Sequence, residues 1–264
     1  MASFEIIPGD PTSSVVLHVP HSSTAIPDEV RAGIVLSDDE LTAELAAMTD
    51  ADTDVVAAGA ADLAAIRPWI FVNRLSRLVV DPERFPDERE EMNEVGMGAV
   101  YEGTSDLRVL RSPTEGEREG LVERYFAPYS AAFAALVRER LEAVGAVTIV
   151  DVHSYPVEAL LYERHGDGPR PEVCVGTDDF HTPPALVDAA VSAMSSAGPT
   201  GEVGLDSPFA GCYVPLDQFG RNTDVTAVML EIRRDVVASR MPHLQRAAAA
   251  LVDAIPGLPR ADTS

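Results

Sequence analysis

The sequence predicts an α/β protein, a sheet with helices on both faces, and three observations carry that prediction. Short apolar runs rich in Val, Ile and aromatic residues alternate with longer Ala- and Leu-rich segments of helical character. Several of the apolar runs end abruptly in polar, chemically capable residues, as strands of open α/β sheets do where they meet a ligand crevice. No linker and no internal repeat divides the 264 residues, so 1–264 is expected to form one domain.

The elements follow in order. A first strand covers 15–19 in "VVLHVPHSSTAIP" and breaks at Pro20 and His21. Ser37 followed by Glu40 is a capping-box pattern that starts a helix, and the alanine-rich stretch after Asp54 reads as a second. "IRPWIFVN" and "LSRLVVD" read as strands. Residues 82–114 show no sustained period and carry Pro, Gly and many charges, the pattern of a functional or disordered loop. A helix is expected over 117–144, with the apolar stripe Leu121, Tyr125, Tyr129, Phe133 and Leu136. "AVTIVDVHS" and "PEVCVGT" are strands, "PPALVDAAVSAMSSAG" is a helix with a Gly stop, and "VTAVMLEIRR" is the last strong strand. A C-terminal helix is expected around "HLQRAAAALVDAI".

Bulk properties narrow the function. Apolar residues make up 46% of the chain, enough for a packed core, and no run of about 18 of them suits a membrane span. The first residues lack a basic segment before an apolar one, so no secretory signal is read. Cys174 and Cys212 are too few for a disulfide framework and fit no zinc motif, which points to a reducing cytoplasm. The net charge is −23, and all 20 basic residues are arginine. Such a surface repels nucleic acid and anionic lipid. A small anionic substrate would need arginines placed locally to receive it. Nothing in the sequence reads as an oligomeric state.

Three polar constellations fall at strand ends: His21, Asp151 with His153 and Ser154, and Glu231; a fourth, "DADTD", lies between helices. Two histidines and one carboxylate with an open fourth position form the ligand set of a catalytic zinc site, and a further carboxylate can act on the activated water. His18 falls inside a strand and is read as a core histidine. Asp151 faces the same side of its strand as His153 and is placed to orient that ring or to cap a loop.

The ordered set "VPHSS...IP", "DADTD", "SRLVVDPER", "IVDVHS", "SPFAGCYV" and "VMLEIRR" resembles the N-formylglutamate amidohydrolase family over about 14–237. The resemblance implies a zinc-carboxypeptidase-like fold, a mixed and mostly parallel sheet sandwiched by helices. It implies a metal held by His21, Asp52 and His153. Asp50 and Asp54 compete with Asp52, which is preferred because Asp52-Thr53 before an apolar helix matches the family pattern. Glu231 matches the catalytic glutamate, and Arg77 and Arg84 match arginines that hold substrate carboxylates, with Arg77 alternatively stabilising an oxyanion. Ser154 and Tyr213 are expected at the substrate, Tyr213 closing over it or packing beneath it. Arg74 is read as a surface ion pair. Two departures stand out: Glu83 replaces the Asn usual before the second arginine, where it could pair with Arg84, and Cys212 replaces a glycine. The implied reaction is hydrolysis of the amide C–N bond of N-formyl-L-glutamate or a similar N-acyl amino acid. The implied cofactor is one divalent ion, zinc first, with cobalt, manganese or iron also accepted by such ligands. Two other classes fit the same residues: a metallo-carboxypeptidase or amidase on a larger substrate, and a non-catalytic ligand-binding relative.

Overall fold

Strand β2 (Val15–Val19) is buried at every position, which marks it as central rather than edge. It pairs in parallel with β3 (Trp69–Asn73) on one side and β4 (Val147–Tyr155) on the other. Strand β7 (Val225–Arg233) continues the parallel block beyond β4. The edges are antiparallel additions: β1 (Phe4–Ile7) against β3, and β5 (Val173–Gly176), which carries β6 (Val203–Leu205), against β7. The sheet order is β1-β3-β2-β4-β7-β5-β6, the mixed and mostly parallel sheet expected. This computed structural model describes residues 2–163, 166 and 168–259.

Alternation along the strands divides the core. Val15, Leu17, Val150, Val152, Leu230 and Ile232 face helices α3 (Thr53–Leu63), α6 (Pro184–Met194) and α7 (Arg234–Ala254). Val16, Phe71, Ile149 and Ala227 face α5 (Ala127–Val144) through Tyr129, Phe133, Leu136 and Val137. Helices therefore cover both faces, as the pattern predicts. The chain enters through α1 (Asp28–Arg31) and α2 (Asp38–Met48), and Ser37 and Glu40 form the expected capping box. No helix among the described residues is long and apolar enough to cross a membrane.

Two expectations are corrected and a third is narrowed. The run "LSRLVVD" is not a strand. All its residues except the half-buried Arg77 are buried, but Leu75 N–H bonds Asn73 Oδ1 and Val79 N–H bonds the Ser76 carbonyl, so side-chain-seeded turns replace a ladder. The helix expected over 117–144 is broken into α4 (Glu115–Leu121), a π-turn (Val122–Phe126) and α5, with its stripe residues from Tyr125 to Leu136 buried. Residues 82–114 are ordered by burial of Met97, Tyr101 and Leu110, with little regular structure beyond a short 3-10 turn (Glu91–Val95).

The order of connections sets the site. After β2 the chain moves one way to β3, and after β3 it returns past β2 to β4. Such a switch point opens a crevice at the carboxyl ends of the two strands. His21 follows the end of β2, and His153 lies near the end of β4.

Candidate active site

Register brings the acids and bases of neighbouring strands side by side. Asp151 lies opposite His18, and His153 lies opposite Glu231. Asp151, His153 and Glu231 sit two residues apart on their strands or directly across, so all three face the same side of the sheet. They border a cavity of about 570 Å³ that His21, Asp50, Arg77, Asp81, Glu83 and Arg84 also line.

At its base two imidazoles confront one another. His21 Nδ1 is 3.3 Å from His153 Nδ1, and Asp50 Oδ2 stands 3.1 Å from His153 Nδ1 and 3.6 Å from His21 Nδ1. Ligand atoms about 2.0–2.1 Å from a tetrahedral zinc stand about 3.3–3.4 Å apart, so this triangle matches the edges of such a site. The chemistry of the donors agrees: two imidazole nitrogens and one carboxylate oxygen. The opposite nitrogen of His21 is 2.9 Å from Asp81 Oδ1, the carboxylate partner that metal-binding histidines commonly have.

The third vertex differs from the sequence expectation. Asp50 is buried, its N–H bonds the His21 carbonyl at 3.0 Å, and its side chain turns to the histidines. Asp52 is exposed at the N-cap of α3 with φ of 64°, a left-handed conformation that Asp tolerates. The structure thus places Asp50, and not Asp52, beside His21 and His153. The neighbouring Asp54 is only partly buried and contacts Arg74 at 3.5 Å. Arg74 also pairs with Glu5 at 2.6 Å on the surface, as read.

Charge is distributed unevenly around this triangle. Burial would raise the Asp50 carboxyl, but His153, in hydrogen-bond contact, and the nearby His21 hold it well below the usual range. Burial would lower His153, yet Glu83 and Asp151 carry it well above the usual histidine value. Glu231 goes the other way. Burial pushes its carboxyl up to about 8 against the attraction of His153, and its Oε2 has no hydrogen-bond partner among the described residues. A carboxyl so placed can exchange a proton with a reacting group near neutral pH.

The arginines are not equivalent. Arg77 spends one edge of its fork, with Nε donating to Tyr101 Oη at 2.9 Å and Nη2 to Asp81 Oδ2 at 2.7 Å. Among the described residues Arg84 has its nearest carboxylates at 3.6 Å (Asp81) and 4.0 Å (Glu90), and its buried Nε has no hydrogen-bond partner there. Arg84 is therefore the looser cation of the two. Ser154 borders the cavity, and its buried Oγ has no hydrogen-bond partner among the described residues. Tyr213 borders the cavity, but its ring stacks on His18 at 5.0 Å and its N–H bonds Asp151 Oδ2, so in this state it packs.

Sequence reading alone missed Asp81, which bonds both His21 and Arg77, and Arg234, whose Nη2 is 3.8 Å from Asp50 Oδ1. Asp81 was in view inside "SRLVVDPER"; its even-handed role between a histidine and an arginine needed the turn geometry. His18 is the core histidine expected. Tyr129 Oη and Asp151 Oδ1 lie 2.5 and 2.8 Å from its two ring nitrogens. Both cysteines are free, and Cys212 lies 3.8 Å from Thr182 Oγ1.

The family model for N-formylglutamate amidohydrolase matches residues 13–238. The chain belongs to that family. A crystal structure of N-formylglutamate amidohydrolase from Ralstonia eutropha JMP134 is similar at 23% identity and a TM-score of 0.78, covering 97% of this chain and 98% of that one. The structure of gene product Atu2144 from Agrobacterium tumefaciens is similar at 22% identity and a TM-score of 0.68, covering 97% and 93%. Those likenesses show the fold. No curated protein sequence matches the chain. Membership makes the chain a hydrolase of the amidohydrolase type, and a cavity of about 570 Å³ is consistent with a small substrate.

Tyr129→Phe removes the donor to His18 and leaves a buried ring nitrogen unpaired. A loss of about 1–3 kcal/mol is expected, checked by denaturant unfolding of the metal-free protein.

Proposed function

We propose that this chain is a metal-dependent amidohydrolase that cleaves the amide C–N bond of N-formyl-L-glutamate or a similar N-acyl amino acid. The observation that carries the metal is the triangle of His21 Nδ1, His153 Nδ1 and Asp50 Oδ2. Zinc suits the donor set, and cobalt, manganese or iron would also fit. A divalent ion held there supplies Lewis acidity for the acyl oxygen and lowers the pKa of a water.

The chain's own residues do the rest. Glu231, across the strand pair from His153, takes a proton from the attacking water and delivers it to the leaving amine. The overall change converts one amide and one water to a carboxylate and an ammonium group. Arg77 is held rigidly by Tyr101 and Asp81 and presents its remaining edge to charge that develops on the acyl oxygen. Arg84 keeps its fork open and binds a substrate carboxylate. Ser154 lies beside the cavity with a hydroxyl that has no partner among the described residues and is available to a bound substrate. The cavity of about 570 Å³, with Arg77 and Arg84 on its wall, favours a small anion. One domain over 1–264 and a cytoplasmic location complete the proposal.

His21→Ala, Asp50→Ala and His153→Ala are each expected to lose stoichiometric metal while remaining folded, whereas Asp52→Ala keeps it. Elemental analysis of the purified variants decides this. Full occupancy in Asp50→Ala with loss in Asp52→Ala would reverse the assignment. Glu231→Gln should retain metal and substrate binding but lose roughly 10²-fold or more in turnover, measured on N-formyl-L-glutamate under saturation. Near-normal turnover would assign the proton transfer to another group. Arg84→Met should raise KM for N-formyl-L-glutamate by about 10–150-fold, the scale of one lost charge-assisted hydrogen bond. An unchanged KM would remove Arg84 from substrate binding.

A further inference from the structure

Glu83 lines the cavity, yet the reaction outlined above gives it no task. Its sequence neighbour Arg84 is the obvious partner, but no Glu83 oxygen comes within 4.0 Å of that guanidinium, whose near carboxylates are Asp81 and Glu90. The Glu83 side chain turns instead toward three imidazoles. Oε2 is 3.3 Å from His153 Nε2 and 3.6 Å from His21 Nε2, and Oε1 is 3.4 Å from His18 Nδ1.

Two of these rings already have acceptors. His21 Nε2 has Asp81, and His18 Nδ1 has Asp151. His153 Nε2 has none with good hydrogen-bond geometry, although it is buried. Asp151 Oδ1 lies 3.1 Å away from it but is already engaged by His18, while Asp151 Oδ2 takes the Tyr213 N–H. Glu83 Oε2, 3.3 Å from that nitrogen, is a carboxylate oxygen with no other hydrogen-bond donor among the described residues, and its Oε1 faces His18 Nδ1 at 3.4 Å. A buried ring N–H left unpaired is costly, and a carboxylate oxygen in contact with it lowers that cost.

We infer that Glu83 is a positioning residue: it accepts the Nε2 proton of His153, fixes that ring with Nδ1 toward His21 and Asp50, and is thereby withheld from Arg84. This rests on the metal centre proposed above. A carboxylate behind a ligating imidazole sets its tautomer and makes it a better donor, and losing such a partner commonly costs 10–100-fold in metal affinity. The same placement answers the charge question raised by the sequence. Glu83 sits beside Arg84 along the chain without neutralising it, so the cavity can hold an acidic substrate despite the acid next door.

The test is zinc affinity, measured by chelator competition on the full chain, for wild type, Glu83→Gln, Glu83→Asp and Arg84→Met. Glu83→Gln keeps the shape and removes the charge; it should bind zinc about 10–100-fold more weakly, with circular dichroism of the metal-free protein unchanged. Glu83→Asp, which restores the charge, should recover part of the loss. Arg84→Met should bind zinc as wild type does and change only KM. Wild-type zinc affinity in Glu83→Gln would overturn the inference. So would a lower KM for N-formyl-L-glutamate in that variant at unchanged zinc affinity, because Glu83 would then be competing for Arg84. Failure of wild type itself to bind zinc would instead remove the metal centre on which the inference stands.

Discussion

The site depends on the close approach of two imidazole nitrogens, 3.3 Å apart, with a carboxylate oxygen completing the triangle. Two Nδ1 lone pairs in that position repel unless a proton or a cation lies between them. Everything nearby follows from supplying that positive charge. Asp50 faces both rings, Asp81 takes the back of His21, and Glu83 with Asp151 approaches the back of His153. This concentration of acids around histidines is costly to bury without a compensating positive charge, and a divalent ion provides it more completely than protons do.

The fold makes this arrangement by topology rather than by long loops. The switch point between β2 and β4 sets His21 beside His153, and the β4–β7 register sets Glu231 across from it. Below them, His18, Tyr129, Phe133 and Phe71 form a packed aromatic floor that fixes Asp151 through His18. Strands hold His153 and Glu231, short turns hold His21 and Asp50, and residues 82–114 bring Glu83, Arg84 and the cavity wall. Chemistry and recognition therefore sit on different parts of the chain.

Much of this was legible in the sequence. Apolar runs placed β2, β4, β5 and β7, and the residues that ended β2 and β4 marked the histidines. Edge strands β1 and β6 were not read, because half-exposed short strands lack a continuous apolar signal. "LSRLVVD" misled for the opposite reason: burial on all sides looks the same in a strand and in a packed turn. The choice among Asp50, Asp52 and Asp54 could not come from spacing. It depends on a left-handed φ at Asp52 that turns the chain between α2 and α3 and leaves Asp50, two residues earlier, facing inward. Glu83 looked like a threat to Arg84 in one dimension, and only the turn after β3 shows it directed to the histidines.

The central claim is that His21, His153 and Asp50 share one ion through the Nδ1 side of both rings. Anomalous diffraction at the zinc edge, from crystals grown with zinc, tests it most directly. The account predicts one strong peak within about 2.0–2.2 Å of His21 Nδ1, His153 Nδ1 and an Asp50 oxygen. A peak on the Nε2 side, against Asp81 and Glu83, or no peak in the cavity, would contradict it.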